Sequence, residues 1–458
     1  MNDKKIIDFT QGDPAKLIIR FYIPLFFTSL LQQVYNFVDV LIVGKGLGDS
    51  AFASVGNMSS LFFLIVGFSF GLANGFGVLI AQSFGAKKYD ELRHRVAGTI
   101  QLAVVMAVFL TTVSIIFLPN ALRLLRTDKA LMANCLRYGY IIFGGLFTSI
   151  CYNISAAILR ALGDSRTPLK AIITSSIINL ALDSLFIFVF GMGVEGAAIA
   201  TIISQIISSI VCIRRIRQIE LLRLTRTDFK NERSIYIGLF ANGLPNAFMN
   251  SITAIGCMVV QFFINGFGVA YTTAYSACSK YLNLFMNPAS TAGNAMSAYT
   301  SQNYGAREYG RIKDGLKVCL TIALVAYLAL GSLMAFAPRI LAGILLDGEE
   351  SIALASQFLP ICGVTIIAVD FLFVFRSAVQ GMGNPVVPMW SGALEMILRI
   401  AVITLLIGKI GIKAAAFAET SAWIGALIVN VIAFCKMLLP KLGEGRGMIF
   451  LRRKRRVY

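Results

Sequence analysis

Long apolar runs separated by short polar segments make up nearly the whole chain. Examples are Phe21–Val43, Ala51–Ser83, Val96–Leu118 and Val318–Ala337. Each has at least the roughly 20 residues that an α-helix needs to cross about 30 Å of hydrocarbon. The pattern therefore predicts an all-α membrane protein. Because the first run is too long for the apolar part of a cleaved signal, we expect no targeting peptide.

Division of the runs at charged residues, glycines and prolines predicts twelve membrane-spanning helices in two sets of six. The first set is predicted at 18–43, 51–81, 96–118, 134–158, 168–192 and 195–213, and the second at 236–264, 273–300, 316–337, 353–375, 387–408 and 413–437. We therefore expect an N-terminal six-helix lobe over 1–220, a C-terminal six-helix lobe over 221–440 and a basic cytoplasmic tail over 441–458.

The two sets repeat one another at a nearly constant offset of 220 residues. The sequence Gln-Ser-Phe-Gly-Ala at 82–86 returns as Gln-Asn-Tyr-Gly-Ala at 302–306, and Gly163 returns as Gly383. Because each set has an even number of spans, both lobes enter the membrane from the same side, and a pseudo-two-fold axis along the membrane normal should relate them. Many transporters with paired halves rock one half against the other.

Composition and charge support a location in the membrane. Hydrophobic residues make up 57% of the chain and charged residues 14%, and the mean hydropathy is +0.76. If the N-terminus is cytoplasmic, the predicted inside segments hold about 31 of the 41 Lys and Arg residues, as the positive-inside rule requires. We therefore expect a multi-pass cell-membrane protein with both termini in the cytoplasm.

The net charge of +18 is concentrated in two clusters, Arg214–Arg233 and Arg452–Arg456. Both clusters lie on the predicted cytoplasmic side, where anionic lipid headgroups attract Lys and Arg. A nucleic-acid interface would interleave aromatic residues with the basic ones on a folded module, and this chain has no such pattern. We therefore expect membrane lipids and not nucleic acid as the partner of these clusters.

The residue types on which most enzymes and metal sites depend are scarce. The single histidine, His94, lies in a charged loop, and the eight cysteines are scattered without CxxC spacing. This excludes a disulfide framework, a zinc site and His-based catalysis. No GxxxxGK[ST] loop occurs, so ATP is not the energy source within this chain. We expect neither an enzyme nor a bound cofactor.

Polar side chains form stripes on several helices of the first lobe. They are Gln32, Tyr35 or Asn36, and Asp39 on the first helix, Ser175, Asn179 and Asp183 on the fifth, and Thr201, Gln205 and Ser208 on the sixth, with Tyr138, Tyr140 and Asn153 on the fourth. Spacings of three and four residues put the members of a stripe on one helix face. Because a charge within a span costs about 2.5–3.5 kcal/mol, each carboxylate is a candidate functional group.

Asp39 and Asp183 are both predicted to lie in the outer half of the bilayer. Two carboxylates in a pocket of low dielectric constant either share a proton or hold a desolvated cation such as Na⁺. Both states suit an ion-coupled antiporter, in which the two aspartates are the metal ligands if the ion is sodium. The alternative is that each aspartate only hydrogen-bonds its Tyr and Asn neighbours and joins helices.

The carboxylate pair is confined to the first lobe. Asp39 corresponds to Val259 at the offset of 220, and Asp183 corresponds to Ala401 at the offset of 218 that the following glycines indicate. Such asymmetry on a duplicated scaffold favours a specialised site in the first lobe.

The predicted spans of the second lobe contain different charges, namely Lys280, Asp370, Glu395, Arg399 and Glu419. Glu395 and Arg399 are four residues apart with the acid first, so they can pair on one helix face. Lys280 can neutralise Asp370 or Glu419, or either acid can contact a cationic substrate. The sequence leaves these alternatives open.

Several motifs resemble the multidrug and toxic compound extrusion (MATE) family. The sequence Gln-Val-Tyr-Asn-Phe-Val-Asp at 33–39 is similar to the first-helix motif of that family. Asn-Leu-Ala-Leu-Asp at 179–183, followed by Gly-Val-Glu-Gly-Ala-Ala at 193–198, looks like its fifth-to-sixth-helix pattern. The repeated Gln-x-aromatic-Gly-Ala element is also typical, and the resemblance covers nearly the whole chain.

The resemblance implies a twelve-helix, two-lobe transporter that cycles between outward-open and inward-open states. Such proteins exchange Na⁺ or H⁺ for drugs or other small organic compounds, often cationic, and we expect this one to act as a monomer. The residues that match the family's first-lobe cation site are Asp39, Asn179, Asp183 and Thr201, with Tyr138 and Asn153 as outer members. Some relatives use acids of the second lobe, where Asp370 and Glu395 stand here.

Two other functions are compatible with such a scaffold. A flippase for lipid-linked saccharides needs a cleft for a large anionic headgroup. Without the three residues at each end of every predicted span, acids within the spans outnumber bases by five to three, with Arg137 counted among the bases. This balance favours cationic cargo. A membrane sensor or binding protein would have no transport cycle, and transport measurements separate it from an exporter.

Overall fold

The computed structural model describes residues 6–124, 127–230 and 232–454, and these residues form a helical protein. The helices are α1 (Pro14–Leu47), α2 (Asp49–Gly85), α3 (Tyr89–Leu124), α4 (Lys129–Gly144), α5 (Leu146–Ala161), α6 (Arg166–Ser184), α7 (Val194–Gln218), α8 (Arg233–Asn265), α9 (Val269–Gly305), α10 (Tyr309–Ala326), α11 (Ser332–Phe336), α12 (Pro338–Leu345), α13 (Glu349–Gly381), α14 (Val386–Ile410) and α15 (Lys413–Lys454). A π-helical segment at Leu185–Val189 continues α6, and another at Tyr327–Gly331 joins α10 to α11.

The helices are long and apolar enough to cross a bilayer. Within the described residues nine helical segments meet this test, and the bent pair α4 and α5 makes a tenth. Helices α9 and α14 have 37 and 25 residues, which at 1.5 Å per residue also suffices for about 30 Å of hydrocarbon. These segments correspond to the twelve predicted spans, so the prediction of an all-α membrane protein is confirmed.

The fourth span is broken where the sequence analysis predicted one continuous helix over 134–158. Helices α4 and α5 meet at an angle of 44°. The break falls at Gly144 and Gly145, which favour the helix weakly because glycine loses the most backbone freedom on folding. A Cβ on Gly145 would lie 2.4 Å from the side chain of Ile202 on α7. The glycine therefore permits close contact between the bend and α7.

Polar side chains fix where several helices begin. The carboxylate of Asp13 accepts a hydrogen bond from the backbone N–H of Lys16, and Pro14 occupies the first helical position of α1. Asp164 accepts from the backbone N–H groups of Arg166 and Thr167 at 3.1 and 3.0 Å and so starts α6. These caps fix where α1 and α6 begin, and these are the helices that carry Asp39 and Asp183.

The described chain divides into two compact units. The first contains Ile23–Gly243, and the second contains Asp8–Tyr22 together with the residues from Leu244 onward. The start of α1 thus belongs to the second unit, and the start of α8 belongs to the first. The lobe limits at 220 and 440 come from the sequence repeat alone and stay a prediction. Most of the predicted tail over 441–458 lies outside the residues whose side chains the structure describes.

The repeat is visible in the backbone. Apart from Gly12, the described residues with left-handed φ values occur as pairs 220 positions apart: Gly48 and Gly268, Lys87 and Arg307, Gly163 and Gly383, and Gly191 and Gly411. Each pair marks an equivalent corner between helices. The duplication predicted from the sequence landmarks therefore extends to backbone conformation.

These corners correct one alignment. The left-handed glycines Gly191 and Gly411 have φ values of 64° and 58°, so the offset of 220 holds to the end of α6 and its counterpart. Asp183 then corresponds to Ile403, and the assignment to Ala401 was wrong. Ile403 is fully buried and apolar. The conclusion that the second half has no carboxylate at this position is unchanged.

Replacement of Gly163 by alanine should destabilise the protein. Gly163 has a φ of 81°, and a Cβ there would lie 2.3 Å from the carbonyl oxygen of Ile7. The left-handed conformation alone costs an L-residue about 1–2 kcal/mol, and the clash adds to it. We expect the melting temperature of the detergent-solubilised protein to fall by several degrees. Gly310→Ala is the control, because its Cβ would meet no atom within 4 Å. Equal melting temperatures for the two variants would contradict this reading.

Candidate functional site

Helices α1, α6 and α7 bring polar side chains together inside the first unit. Asp39 lies on α1, Asn179 and Asp183 on α6, and Thr201 on α7. Asp183 is 0% exposed and Asn179 is 1% exposed. The carboxyl groups of Asp39 and Asp183 are close enough to share a hydrogen bond when one of them is protonated. Two of the predicted stripes therefore meet.

Asn179 connects α6 to α7. In the amide orientation that satisfies both ends of its side chain, its nitrogen donates to Asp183 Oδ2 at 2.6 Å, and its oxygen accepts from the backbone N–H of Thr201 at 3.3 Å. Asn179 and Asp183 are one helical turn apart, so the donor and the carboxylate share a face of α6. The Thr201 hydroxyl donates to the carbonyl of Ala197 at 3.0 Å, which leaves its oxygen available as an acceptor.

Two tyrosines border this cluster. The Tyr35 hydroxyl on α1 lies near the Thr201 and Ser204 side chains. Tyr138 on α4 is buried, and it is near enough to Asp39 and Asp183 for their charges to act on it. Ser204 was not among the predicted residues, although its spacing of three from Thr201 puts it on the same face of α7.

Other members of the predicted stripes lie elsewhere. Asn153 is buried on α5, and its side chain makes no hydrogen bond with any described residue. Gln205 on α7 accepts a hydrogen bond from Thr148 at 2.9 Å and another from Ser149, so it joins α7 to α5. Tyr140 is exposed, two residues from Tyr138 on the other side of α4. The Asn36 side chain lies outside the described residues.

The two aspartates have unused oxygen atoms. Oδ1 of Asp39 and Oδ1 of Asp183 are buried, and neither has a hydrogen-bond partner among the described residues. An unsatisfied buried polar group costs about 1–3 kcal/mol. A proton shared by the carboxyls, or a cation bound by their oxygens with those of Asn179 and Thr201, would remove that cost. Carboxylate, amide and hydroxyl oxygens form a hard donor set of the kind that binds alkali and alkaline-earth ions rather than soft metals.

A chain of buried ion pairs crosses three helices of the second unit. Arg376 on α13 pairs with Glu395 on α14, Glu395 lies 3.5 Å from Arg399 one turn along, and Arg399 Nε lies 3.0 Å from Glu419 on α15. We call these four residues the charge ladder. The predicted pairing of Glu395 with Arg399 is confirmed, and the ladder has no net charge.

Arg376 was not among the predicted site residues, because the predicted span ended at 375 and placed Arg376 in a loop. In the structure α13 continues to Gly381. The signal in the sequence is a charged residue directly after the apolar run 371–375 that follows Asp370. Of the alternatives left open for Lys280, pairing with Glu419 is not found: Lys280 is exposed on α9, and Arg399 is the partner of Glu419.

Asp370 differs from the acids of the ladder. It is 1% exposed on α13, and its side chain has no hydrogen bond or ion pair with any described residue. A buried carboxyl without a partner is the exception in membrane helices, where such groups usually mark a functional position. Asp39, Asp183 and Asp370 are thus three acids within the helices that lack a basic partner in the described part of the chain.

The chain matches known proteins over most of its length. The MatE family model matches residues 24–185 and 245–405, two segments that begin 221 residues apart. The probable multidrug resistance protein YoeA of Bacillus subtilis is 30% identical over 306 residues, about two thirds of either chain, with 65% of this chain and 66% of that protein covered. The multidrug export protein MepA of Staphylococcus saprophyticus is 21% identical over 453 residues, with 96% of this chain and 99% of that protein covered.

The fold also matches solved structures. A structure described as the outward-facing conformation of a multidrug resistance MATE family transporter of the MOP superfamily superposes with a TM-score of 0.88 at 21% identity. The match covers 97% of this chain and 100% of that one. At this identity the likeness concerns the fold, which is the twelve-helix, two-lobe arrangement expected from the sequence.

Replacement of Glu395 by alanine should destabilise the protein strongly. The change would leave Arg376 without a partner and Arg399 with only Glu419, and breaking a buried pair from one side costs about 3–5 kcal/mol. We expect a large fall in melting temperature in detergent. Glu349→Ala is the matched control, because the Glu349–Arg339 pair is exposed and such pairs contribute about 0–1 kcal/mol. A similar small effect in both variants would contradict a stabilising role for the ladder.

Proposed function

The chain belongs to the MatE family of multidrug and toxic compound extrusion transporters, and we propose that it exports small organic compounds, often cationic, in exchange for Na⁺ or H⁺. It is a multi-pass membrane protein of a transporter family and not an enzyme. The observation that carries the ion coupling is the meeting of Asp39 and Asp183, each with a buried oxygen that no described residue satisfies. The names of its relatives, which describe multidrug resistance and export, support the choice of substrates.

In this proposal Asp39 and Asp183 take up the coupling ion. Asn179 positions the carboxylate of Asp183 by donating to it, and Thr201 supplies a hydroxyl oxygen on the facing helix. Tyr138 closes the pocket from α4. Asn153 is a more distant member of the same lobe, without a direct bond to the ion.

Alternating access follows from a difference in ion affinity between two states. An ion can shift a conformational equilibrium only by as much as its affinity differs between the conformations. Asp39 and Asp183 come from different helices, so a change in the spacing between α1 and α6 would alter ion affinity directly. Binding of Na⁺ or H⁺ from outside then favours the state that releases the exported compound.

The unpaired acids favour cationic cargo. In the second unit the ladder compensates Glu395 and Glu419, which leaves Asp370 as a buried carboxyl able to contact a cationic compound. Glu419 is then not part of the binding surface, because Arg399 neutralises it, whereas the exposed Lys280 remains accessible to a bound compound. A flippase for lipid-linked saccharides would need to hold anionic headgroups, and these acids repel them.

We further propose that both termini face the cytoplasm and that the basic residues there contact anionic lipids. The mid-chain cluster is exposed at Arg214, Arg217, Arg223 and Arg226, as such contacts require. The protein is expected to act as a monomer, since each chain contains both halves of the transporter.

Reconstitution in liposomes tests the proposal. An imposed Na⁺ or H⁺ gradient should drive movement of a fluorescent organic cation such as ethidium across the membrane. The absence of gradient-driven movement over a broad panel of compounds would refute export. Movement of lipid-linked saccharides without movement of cations would indicate a flippase, and binding without movement would indicate a sensor.

Asp39→Asn should abolish coupling. The amide cannot take up a proton or neutralise a cation as the carboxylate does, so the ion loses its differential affinity for the two states, and gradient-driven transport should fall by about tenfold or more. Asp90→Asn is the control, because the Asp90 side chain is 89% exposed on α3. Transport by Asp39→Asn at the parental rate at every pH and Na⁺ concentration would refute the ion assignment.

Asp370→Asn should weaken binding of cationic compounds and leave coupling intact. The amide keeps the size of the side chain and removes its negative charge, so the dissociation constant for a cation should rise by about tenfold, equivalent to 1.4 kcal/mol, while that for a neutral compound changes little. Equilibrium fluorescence binding with a cationic and a neutral probe measures both. Equal effects on the two probes would indicate that Asp370 does not recognise charge.

A further inference from the structure

The segments that precede α1 and α8 share a dipeptide that the repeat landmarks did not include. Asp8-Phe9 and Asp228-Phe229 lie 220 residues apart, at the same offset as the left-handed corners. Each dipeptide precedes the first helix of its half. The structure describes both, and each is held by side chains of its own unit.

Phe9 is tightly held in the second unit, which also contains the first part of α1. Its ring is 0% exposed and contacts Phe21 and Tyr299 edge-on, with centroid distances of 5.2 and 5.4 Å. Its backbone N–H donates to Gln302 Oε1 at 2.9 Å, and its carbonyl accepts from Arg311 Nη2 at 2.8 Å. Both backbone groups of Phe9 are therefore satisfied by α9 and α10.

The pocket around Phe9 is built by small and polar residues of the same unit. Asn303 donates to the Phe9 carbonyl at 3.2 Å, and Arg311 also contacts Asn303 Oδ1 at 3.0 Å. A Cβ on Gly315 would lie 2.4 Å from the Tyr299 ring. The absence of a side chain at Gly315 therefore makes room for the aromatic cluster. We call the contact of Phe9 with Phe21, Tyr299, Gln302, Asn303 and Arg311 the N-terminal anchor.

The equivalent contact in the first unit is looser. The Phe229 ring is 38% exposed, and its carbonyl accepts one hydrogen bond, from Gln101 of α3 at 3.0 Å. Asp228 is held by Arg93 at 3.6 Å and by hydrogen bonds from Thr225. Burial raises the pKa of the Asp228 carboxyl, but the Thr225 hydrogen bonds and the nearby charge of Arg93 outweigh it, so the pKa lies below its usual range.

The N-terminal anchor directly precedes the helix that carries Asp39. Helix α1 begins beside the N-terminal anchor, in the second unit, and runs on to Asp39 in the first unit. Helix α8, whose preceding Phe229 is partly exposed, has Val259 at the position equivalent to Asp39. If the Asp-Phe segments only started helices, both halves would need equal packing. The difference follows the helix that carries the coupling group.

We propose that the N-terminal anchor fixes the start of α1 to the second unit, so that a change at Asp39 on ion binding is transmitted through α1 to that unit. Phe9 is thus a positioning residue of the transport cycle. This inference rests on the proposed function, because it requires Asp39 to bind the coupling ion. It predicts that loss of the anchor reduces transport but leaves binding of the ion and of the substrate unchanged.

The test is Phe9→Ala in the full chain, reconstituted in liposomes with ethidium as the probe. Gradient-driven transport should fall by about tenfold, within the range by which substitutions between two sites change their coupling, whereas equilibrium binding of ethidium should stay within about twofold of the parent. Phe229→Ala is the matched control, and it should transport at close to the parental rate because its ring is already partly exposed.

A second variant separates the anchor from the stability of the core. Arg311→Gln removes two hydrogen bonds to the Phe9 carbonyl and one to Asn303 without removing the Phe9 ring, and it should reduce transport in the same direction with a smaller fall in melting temperature than Phe9→Ala. Parental transport by either folded variant would overturn the inference, as would failure of both to fold, since the anchor would then serve folding alone. Loss of transport by the parent itself would refute the proposed function instead.

Discussion

The structure depends on the cost of placing ionised side chains among helices that face hydrocarbon. The two units meet that cost differently. In the second, two arginines and two glutamates neutralise one another within the charge ladder. In the first, Asp39 and Asp183 have no basic partner among the described residues, and Asn179 provides the only amide donor to them. The charges of the ladder balance one another, whereas those of Asp39 and Asp183 are balanced only by a proton or a cation.

Duplication explains how one scaffold supports both arrangements. The backbone corners that join the helices are equivalent in the two halves, down to left-handed residues that are not glycine at Lys87 and Arg307. The side chains inside the helices are not constrained in that way. Where the first half has Asp183, the second has the buried and apolar Ile403. A common fold and a specialised site are therefore compatible, because they depend on different positions.

The sequence predicted the helices and the central pair of aspartates well, because both produce local signals. A long apolar run needs no tertiary information, and spacings of three or four residues identify a shared helix face. Predictions failed where partners come from distant parts of the chain. Lys280 was the base considered for Glu419, and only the packing of α14 against α15 shows that Arg399 is its partner. The break between α4 and α5 likewise brings Gly145 against Ile202, 57 residues farther along the chain.

The equivalent corners have a consequence for how the molecule can change over time. A left-handed backbone position tolerates few side chains, yet Lys87 and Arg307 occupy theirs in both halves with long, basic residues. Because each half needs this backbone conformation at its own corner, a substitution that disfavours the conformation is costly at either of the two positions. Residues inside the helices can then differ between the halves, as Asp183 and Ile403 do, while the turns that join the helices keep one conformation.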